Sequence, residues 1–126
     1  MALEFLAVGL GGAFGSISRY LLTKLTLHYG AVFPWGTLLA NTLAGILVGL
    51  VFALEKGPGL SPRMVLLLRT GFLGGLSTFS AFSLETIRLA QAGSYVGASL
   101  NVGLNLFLSL IGVLIGLSLA KTFLTS

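Results

Sequence analysis

Cysteine is absent from the sequence, and charged side chains are scarce, with Lys and Arg together numbering 7 and Asp and Glu together numbering 3. The lack of cysteine excludes disulfides, thiolate metal sites and cysteine nucleophiles. A single histidine and three carboxylates leave little for acid–base catalysis, so the composition argues against an enzyme. Charged residues make up 8% of the chain, whereas an ordinary globular domain carries about 25%.

So little charge cannot cover the surface of a water-soluble protein of this size. Hydrophobic residues account for 56% of the 126 residues, and the mean hydropathy is +1.04. A membrane-spanning helix needs about 20 apolar residues, so the chain has room for four of them and little else. The apolar runs are long and lack the two-residue alternation of a transmembrane β-strand. The sequence therefore predicts an all-α membrane protein in the lipid bilayer.

Four apolar stretches form one predicted four-helix transmembrane domain covering residues 1–126. A polar segment over residues 55–63 contains two prolines, two glycines and three charged residues, which indicates a loop at the membrane surface. Residues 90–94 form a much shorter hairpin connection. The predicted spans are residues 5–27, 31–54, 64–89 and 95–120.

The third predicted span has an unusual interior. Its central stretch, residues 71–83, contains three glycines and four hydroxyl residues. Adjacent glycines such as Gly74 and Gly75 each cost about 1 kcal/mol relative to alanine in a helix. We therefore expect a break near the membrane midplane, with backbone carbonyls exposed to protein or to a water-filled cavity. The alternative is a continuous helix whose small residues let a neighbouring helix pack closely.

The basic residues are scattered singly, which is typical of anchors at helix ends and not of a nucleic-acid-binding face, despite a net charge of +4 and a pI near 10.0. With four spans they divide four against three between the two sides, so the positive-inside bias is weak. Such a protein can insert in both orientations, and two opposed copies can then pair. The sequence thus predicts an antiparallel, dual-topology homodimer. One side carries Lys56, Arg63, Arg69 and Lys121, and the other carries Arg19, Lys24 and Arg88.

Polar residues within the spans are the candidates for function, because each costs free energy in hydrocarbon. Several recur at four-residue spacing and so share a helix face. They can line a path for an ion, or they can simply hold the helices together by hydrogen bonds. The candidates are Thr37 and Asn41 on the second span, Ser77, Thr78, Ser80 and Ser83 with Phe79 and Phe82 on the third, and Asn101, Asn105 and Ser109 on the fourth.

Two further patterns concern packing and charge. Paired glycines four residues apart predict close helix–helix contacts. Glu85 is the one acid well inside a span, and it is either a gate or the partner of Arg88 one helical turn away. The glycine pairs are Gly11/Gly15, Gly45/Gly49, Gly93/Gly97 and Gly112/Gly116.

Taken together, these motifs resemble those of the Fluc (CrcB-type) family of bacterial fluoride channels. Residues 71–83, with the sequence GFLGGLSTFSAFS, carry the most specific part of the resemblance. The second span has the Gly36-Thr37…Asn41 pattern, and the first has the glycine cluster Gly11-Gly12…Gly15 followed by Arg19. The resemblance covers essentially the whole chain.

The resemblance implies an antiparallel homodimer in the bacterial inner membrane, with two fluoride pores along the subunit interface. It implies that a central structural Na⁺ is held by the backbone carbonyls of Gly74 and Ser77, the latter a position where the family more often has threonine. Arg69 has no counterpart role. The pore residues that it implies are Phe79, Phe82, Asn41, Thr78 and Ser80, with Glu85 near a pore end and Arg19 in a vestibule.

The chemistry of the spans suits fluoride, a small and strong hydrogen-bond acceptor. It must exchange water for hydroxyl and amide donors, and phenylalanine edges carry partial positive charge. Conduction also requires weak binding at several sites, and no Lys or Arg lies in the middle of a predicted span. The main rival is a small multidrug-resistance-type proton-coupled transporter. That chemistry needs an acid within the first helix. Here Glu4 precedes the first predicted span, and the core of that span has no acid. A non-transporting scaffold would have no use for the broken helix.

Overall fold

The computed structural model describes residues 1–29 and 32–126, and all the regular structure in these ranges is helical. Helix α1 (Ala2–Thr26) continues into a 3₁₀ turn (Leu27–Tyr29), and α2 (Trp35–Glu55) follows. The third membrane-length segment is composite, consisting of α3 (Pro62–Val65), a π-helical stretch (Leu66–Leu73), α4 (Gly74–Leu76) and α5 (Phe79–Gln91). The last helix is α6 (Tyr95–Thr125).

Within the described ranges, four helical segments are long and apolar enough to cross a membrane: Ala2–Tyr29, Trp35–Glu55, Pro62–Gln91 and Tyr95–Thr125. The prediction of four spans in an all-α protein is thus confirmed. The limits differ by a few residues, and α6 extends five residues beyond the predicted end at residue 120. The predicted start of the second span, Ala31, lies outside the described residues.

The connections follow from local chemistry. Ser61 caps α3 by accepting a hydrogen bond from the Met64 amide at 3.2 Å, with Pro62 at the first helical position, where its missing N–H costs nothing. Gly93 has a φ of +82°, which only glycine adopts without strain, and it turns the chain from α5 into α6. The predicted surface loop and short hairpin therefore lie at positions where the sequence favours turns.

The third segment is interrupted by two extended residues. Ser77 has a ψ of 150° and Thr78 a ψ of 124°, so neither continues the helix that ends at Leu76. Helical geometry resumes at Phe79, where the Thr78 hydroxyl caps α5 by accepting from the Ala81 amide at 3.1 Å. The capping threonine thus compensates one of the amides that the interruption leaves without a helical partner.

Glycines allow the backbones of two helix pairs to approach closely. A side chain at Gly11 or Gly15 of α1 would collide with backbone atoms around Leu67 and Phe72. Between α2 and α6, a Cβ on Gly45 would lie 2.6 Å from the Ser109 carbonyl oxygen. Three of the four predicted glycine pairs, namely Gly11/Gly15, Gly45/Gly49 and Gly112/Gly116, therefore pack between helices, as expected.

The Gly93/Gly97 pair does not behave as predicted. No atom lies within 4 Å of a Cβ built on Gly93, and one built on Gly97 would meet the side chains of Ser94 and Leu89 nearby in the chain. Gly93 belongs to the turn between α5 and α6. Its positive φ explains why the residue is glycine, and no neighbouring helix is needed to explain it.

Large apolar side chains cover the outside of the bundle, and its interior combines leucines with small residues such as alanine. Ala40 is completely buried and Ala44 nearly so, whereas Phe14, Leu110 and Leu114 are each more than three-fifths exposed. Contiguous apolar surface of this kind is rare on a water-soluble monomer and is suited to contact with lipid or with another apolar protein surface.

Candidate functional site

A cavity of about 490 Å³ lies between α2, the interrupted third segment and α6. Most of its wall is apolar, and polar groups project into it near the interruption. Among the described residues that line it, only Arg69 is charged. The wall residues that bear on function are Asn41, Arg69, Gly74, Ser77, Thr78, Phe79, Phe82, Asn105 and Ser109.

Asn41 of α2 holds the extended residues in place. Its Nδ2 group donates to the Thr78 carbonyl at 3.2 Å, and its Oδ1 accepts from the Thr78 amide at 2.8 Å. The second Nδ2 hydrogen is donated to Asn105 Oδ1 at 2.9 Å. One side chain therefore bonds to both backbone groups of Thr78 and serves the amide that the interruption leaves without a helical partner.

The same arrangement releases two carbonyls from their ordinary helical partners. In an α-helix the Thr78 amide would bond to the Gly74 carbonyl, but it donates to Asn41 instead. The Ala81 amide would bond to the Ser77 carbonyl, but it donates to the Thr78 hydroxyl. Gly74 and Ser77 are both exposed in the single chain. These are the two carbonyls that the resemblance implies as cation ligands.

The carbonyl oxygens of Gly74 and Ser77 are neutral groups that could coordinate a cation. Within residues 1–29 and 32–126, no group of three or more His, Cys, Asp or Glu side chains is placed to hold an ion. Ca²⁺ favours sites rich in carboxylates, which the neutral carbonyls of Gly74 and Ser77 do not provide.

The two phenylalanines after the interruption lie together at the cavity. Their ring centroids are 5.3 Å apart, with the rings tilted by 59°. Phe82 is 8% exposed, whereas Phe79 is 74% exposed and projects from the chain. The three-residue spacing therefore places both rings on one face of α5, as the sequence predicts, although only Phe79 is open to an outside partner.

The remaining hydroxyl residues differ in their surroundings. Thr78 Oγ1 and Ser80 Oγ lie 3.4 Å apart, a distance at which either group can donate. Ser109 lines the cavity, as does Asn105. Ser77 Oγ and Ser83 Oγ instead donate to carbonyls of their own helical turns, those of Leu73 and Phe79. Unlike those of Ser77 and Ser83, the hydroxyls of Thr78 and Ser80 lie close to each other at the start of α5.

Asn101 is placed differently from the rest of its predicted stripe. It is completely buried, does not line the cavity and donates from Nδ2 to Thr86 Oγ1 of α5 at 2.9 Å. Its carbonyl and Oδ1 both accept from Asn105 Nδ2. For Asn101 the alternative of hydrogen bonding between helices fits the structure better than a place on the cavity wall. Thr86 was missed by sequence reasoning, although a hydroxyl within an apolar span was a usable signal.

Thr37 and Glu85 form a separate polar contact. Thr37 Oγ1 donates to Glu85 Oε1 at 2.8 Å, and Thr37 is buried. Glu85 Oε2 is buried and has no hydrogen-bond partner in the described part of the chain. The ion pairs found there do not include one between Glu85 and Arg88. Of the two interpretations of Glu85, the pairing with Arg88 is therefore not observed.

Two arginines contact the ends of the site. Arg19 Nε donates to the Gly75 carbonyl at 3.1 Å, which ties α1 to the interrupted segment. Arg69 pairs with Glu55 at the end of α2, its Nη1 lying 2.5 Å from Oε2, and also lines the cavity. Sequence reasoning assigned Arg69 no role, and it did not identify Glu55 as its partner.

Four membrane-length helices, three of which enclose a mostly apolar cavity, define a multi-pass membrane protein. A family model described as "CrcB-like protein, Camphor Resistance (CrcB)" matches residues 6–117, and the chain belongs to this family. Relatives named "Fluoride-specific ion channel FluC" from Shewanella sp. (strain ANA-3) and Shewanella baltica (strain OS185) are each 44% identical over 114 residues, which is 90% of this chain and 92% of theirs. The resemblance drawn from the sequence motifs is thus confirmed at the level of the family.

Proposed function

We propose that this chain is a fluoride channel of the bacterial inner membrane that lets F⁻ leave the cell passively and so lowers cytoplasmic fluoride. The observation that carries the proposal is the 44% identity, over nearly the full length, to relatives named for fluoride conduction. The cavity adds chemical support, because its polar groups are hydroxyls and amides that can donate to a small anion.

The electrostatics of the cavity favour passage over tight binding. Arg69 is the charged residue among its described lining, and that guanidinium is already paired with Glu55. An unpaired buried cation would hold fluoride too firmly, whereas neutral donors and aromatic edges bind weakly at several points. We place Phe79, Phe82, Thr78, Ser80 and Ser109 along the path. Asn41 and Asn105, which line the cavity, lie along it as well. Thr37 and Asn101 support it, with Arg19 and Glu85 near its ends.

The functional unit in this proposal is an antiparallel homodimer with two pores along its interface. Phe79 is 74% exposed in the single chain, and the released carbonyls of Gly74 and Ser77 lie on the same exposed stretch. A second copy would cover these groups, and the carbonyls of both copies would then surround one structural Na⁺. Opposed insertion is supported by the four-against-three division of basic residues.

Dual topology can be tested with single cysteines, since the chain has none of its own. A cysteine introduced at Ser126, at the end of the last helix, should react with a membrane-impermeant maleimide from both sides of the membrane in one population. Labelling from one side alone in every copy would overturn the antiparallel arrangement without touching the assignment to fluoride.

The function itself is tested by fluoride release from liposomes. Purified protein in vesicles loaded with potassium fluoride should release fluoride to an external electrode once valinomycin supplies a path for K⁺. Vesicles loaded with potassium chloride serve as the matched control and should release little chloride. Release that needs a proton gradient, or that is absent with well-folded protein, would contradict a passive fluoride channel and favour the transporter or scaffold alternatives.

A further inference from the structure

We propose that Asn105, Asn101 and Thr86 form a buried relay of hydrogen bonds that positions Asn41 and the first turn of α5, the turn that carries Phe79 and Phe82. In this proposal, which rests on the proposed function, Asn101 and Thr86 are positioning residues that never touch the ion. They act through the residues that do.

The relay is continuous and runs in one direction. Asn41 Nδ2 donates to Asn105 Oδ1 at 2.9 Å, and Asn105 Nδ2 donates to Asn101 Oδ1 at 2.9 Å. Asn101 Nδ2 then donates to Thr86 Oγ1 at 2.9 Å, and Thr86 Oγ1 donates to the Phe82 carbonyl at 2.8 Å. Every donor along the line faces an acceptor, so reversing any one amide would set donor against donor or acceptor against acceptor.

Both ends of the relay lie on the same short stretch of chain. At one end Asn41 binds the amide and the carbonyl of Thr78, the residue that caps α5. At the other end Thr86 binds the carbonyl of Phe82, one turn into the same helix. The relay and the first turns of α5 therefore close a ring that passes through α2 and α6. The orientation of that turn is fixed from two sides.

Burial makes the coupling strong. Asn101 is completely buried and Asn105 is 5% exposed, so water has little access to replace a lost partner. A buried amide that loses its acceptor must keep an unsatisfied donor or rotate to find another. Rotation at Asn101 or Asn105 would pass along the line to Asn41, whose two Nδ2 hydrogens are both in use. A change at Thr86 should therefore affect Asn41, although two side chains lie between them.

The test removes the Thr86 hydroxyl, which is the last side-chain acceptor of the relay, and then restores it. Thr86→Val keeps the shape of the side chain and deletes the hydroxyl, whereas Thr86→Ser keeps the hydroxyl. Thr42→Val is the matched control, because the Thr42 hydroxyl donates at 2.8 Å to the Leu38 carbonyl of its own helix. We expect Thr86→Val to lower fluoride release from liposomes by about tenfold, as an unsatisfied buried amide shifts the conformational equilibrium, and Thr86→Ser to restore it. Thr42→Val should leave release unchanged.

A second readout separates this proposal from the proposed function. In ¹⁵N–¹H spectra of the protein in detergent, Thr86→Val should shift the side-chain amide signals of Asn101, Asn105 and Asn41, and Thr86→Ser should return them. If Thr86→Val fails to fold, hydrogen exchange of the wild-type side chains decides, because the relay requires slow exchange at Asn41 and Asn105 without fluoride. Unmoved Asn41 signals in folded Thr86→Val, or rapid exchange in the wild type, would overturn the relay. If Thr86→Val shifts these signals but the wild-type protein releases no fluoride, the relay stands and the proposed channel function is contradicted.

Discussion

The two halves of the α2–α6 helix pair are held together in different ways. In one half, glycines of each helix meet the backbone of the other, and a Cβ on Gly112 would lie 3.0 Å from the Thr42 carbonyl oxygen. In the other half, Asn41 and Asn105 join the helices through a hydrogen bond of 2.9 Å beside the cavity. The first, or glycine half, is close-packed, whereas the second, or amide half, is joined by polar side chains.

The difference separates stability from position. Close packing gains from many small dispersion contacts and tolerates no added atom, but it specifies little about any single polar group. Hydrogen bonds between amides in an apolar interior contribute modestly to stability and strongly to orientation, because wrong orientations leave groups unsatisfied. We therefore expect substitutions in the glycine half to affect folding, and substitutions in the amide half to affect conduction in protein that still folds.

The largest effect is expected from Gly116→Ala in the glycine half. The added methyl group would overlap the Ile46 carbonyl oxygen, and because the obstacle is backbone, relief requires the helices to separate. We expect the free energy of unfolding to fall by about 3 kcal/mol, the upper part of the usual range for overpacking. Thermal unfolding in detergent measures this loss, and fluoride release should fall with the folded fraction.

Gly103→Ala is the control for that experiment. It lies on the same helix, and no atom outside its local helix stands within 4 Å of the added Cβ. We expect this change to be neutral or to stabilise the helix by up to about 1 kcal/mol. Equal losses of stability in the two variants would mean that the glycines are not there for close packing.

Asn41→Asp, in the amide half, should abolish conduction while the glycine half keeps the helices paired. The aspartate loses the donors that serve the Thr78 carbonyl and Asn105 Oδ1, and it brings negative charge to the proposed anion path. We expect fluoride release at the background of protein-free vesicles, with a normal elution volume in size-exclusion chromatography. Substantial release by this variant would remove Asn41 from the path.

Phe79→Ile and Phe82→Ile sharpen the comparison, because these α5 residues share the cavity wall with Asn41 and Asn105 of the amide half. Isoleucine keeps most of the bulk, so we expect folding to change by less than about 1.5 kcal/mol. The electropositive ring edge is lost, and release should fall by about tenfold or more in each variant. Phe123→Ile serves as control, because that ring is 71% exposed near the end of α6. Wild-type release from both variants would assign the two rings to packing.

Ser77→Ala should have the smallest effect. In the described part of the chain the lost hydroxyl donates to the Leu73 carbonyl four residues earlier, whereas the proposed cation ligand is the backbone carbonyl. We expect release within about twofold of wild type, since one local hydrogen bond contributes about 1 kcal/mol or less. Replacing Na⁺ by a large organic cation throughout purification should instead destabilise the proposed dimer. Loss of release in Ser77→Ala together with indifference to Na⁺ would refute the carbonyl site.

The sequence alone was sufficient for the four helices and for most glycine contacts, because hydropathy and four-residue spacing directly record burial and faces. It also predicted that Phe79 and Phe82 lie side by side. What it could not give is the neighbour that each face meets. The spacing of Asn101, Asn105 and Ser109 predicts a stripe, yet Asn101 turns towards Thr86 of α5 while the other two line the cavity.

The chemistry of the interruption was only partly accessible in the same way. Glycines and hydroxyls indicate that a helix is weak, but not that Asn41, more than thirty residues away, completes the backbone bonding of Thr78. Gly93 shows the converse error, since one spacing rule fits a packing glycine and a turn glycine equally well. Long-range hydrogen bonds depend on the approach of whole helices, which no local pattern contains.

The π-helical stretch Leu66–Leu73 has a consequence for how positions along the third segment correspond to directions in space. Each residue of an α-helix advances the direction of its side chain by about 100°, and a π turn accommodates roughly one residue more than an α turn. The rotational phase of the helix is therefore reset between Arg63 and Leu76. The two ends of the segment are out of step by about the angle of one residue, so faces counted from its start do not apply at its end. Loss of one residue inside this stretch would be absorbed as a return from the π to the α form, whereas the same loss between Thr78 and Phe82 would turn Phe82 away from the cavity.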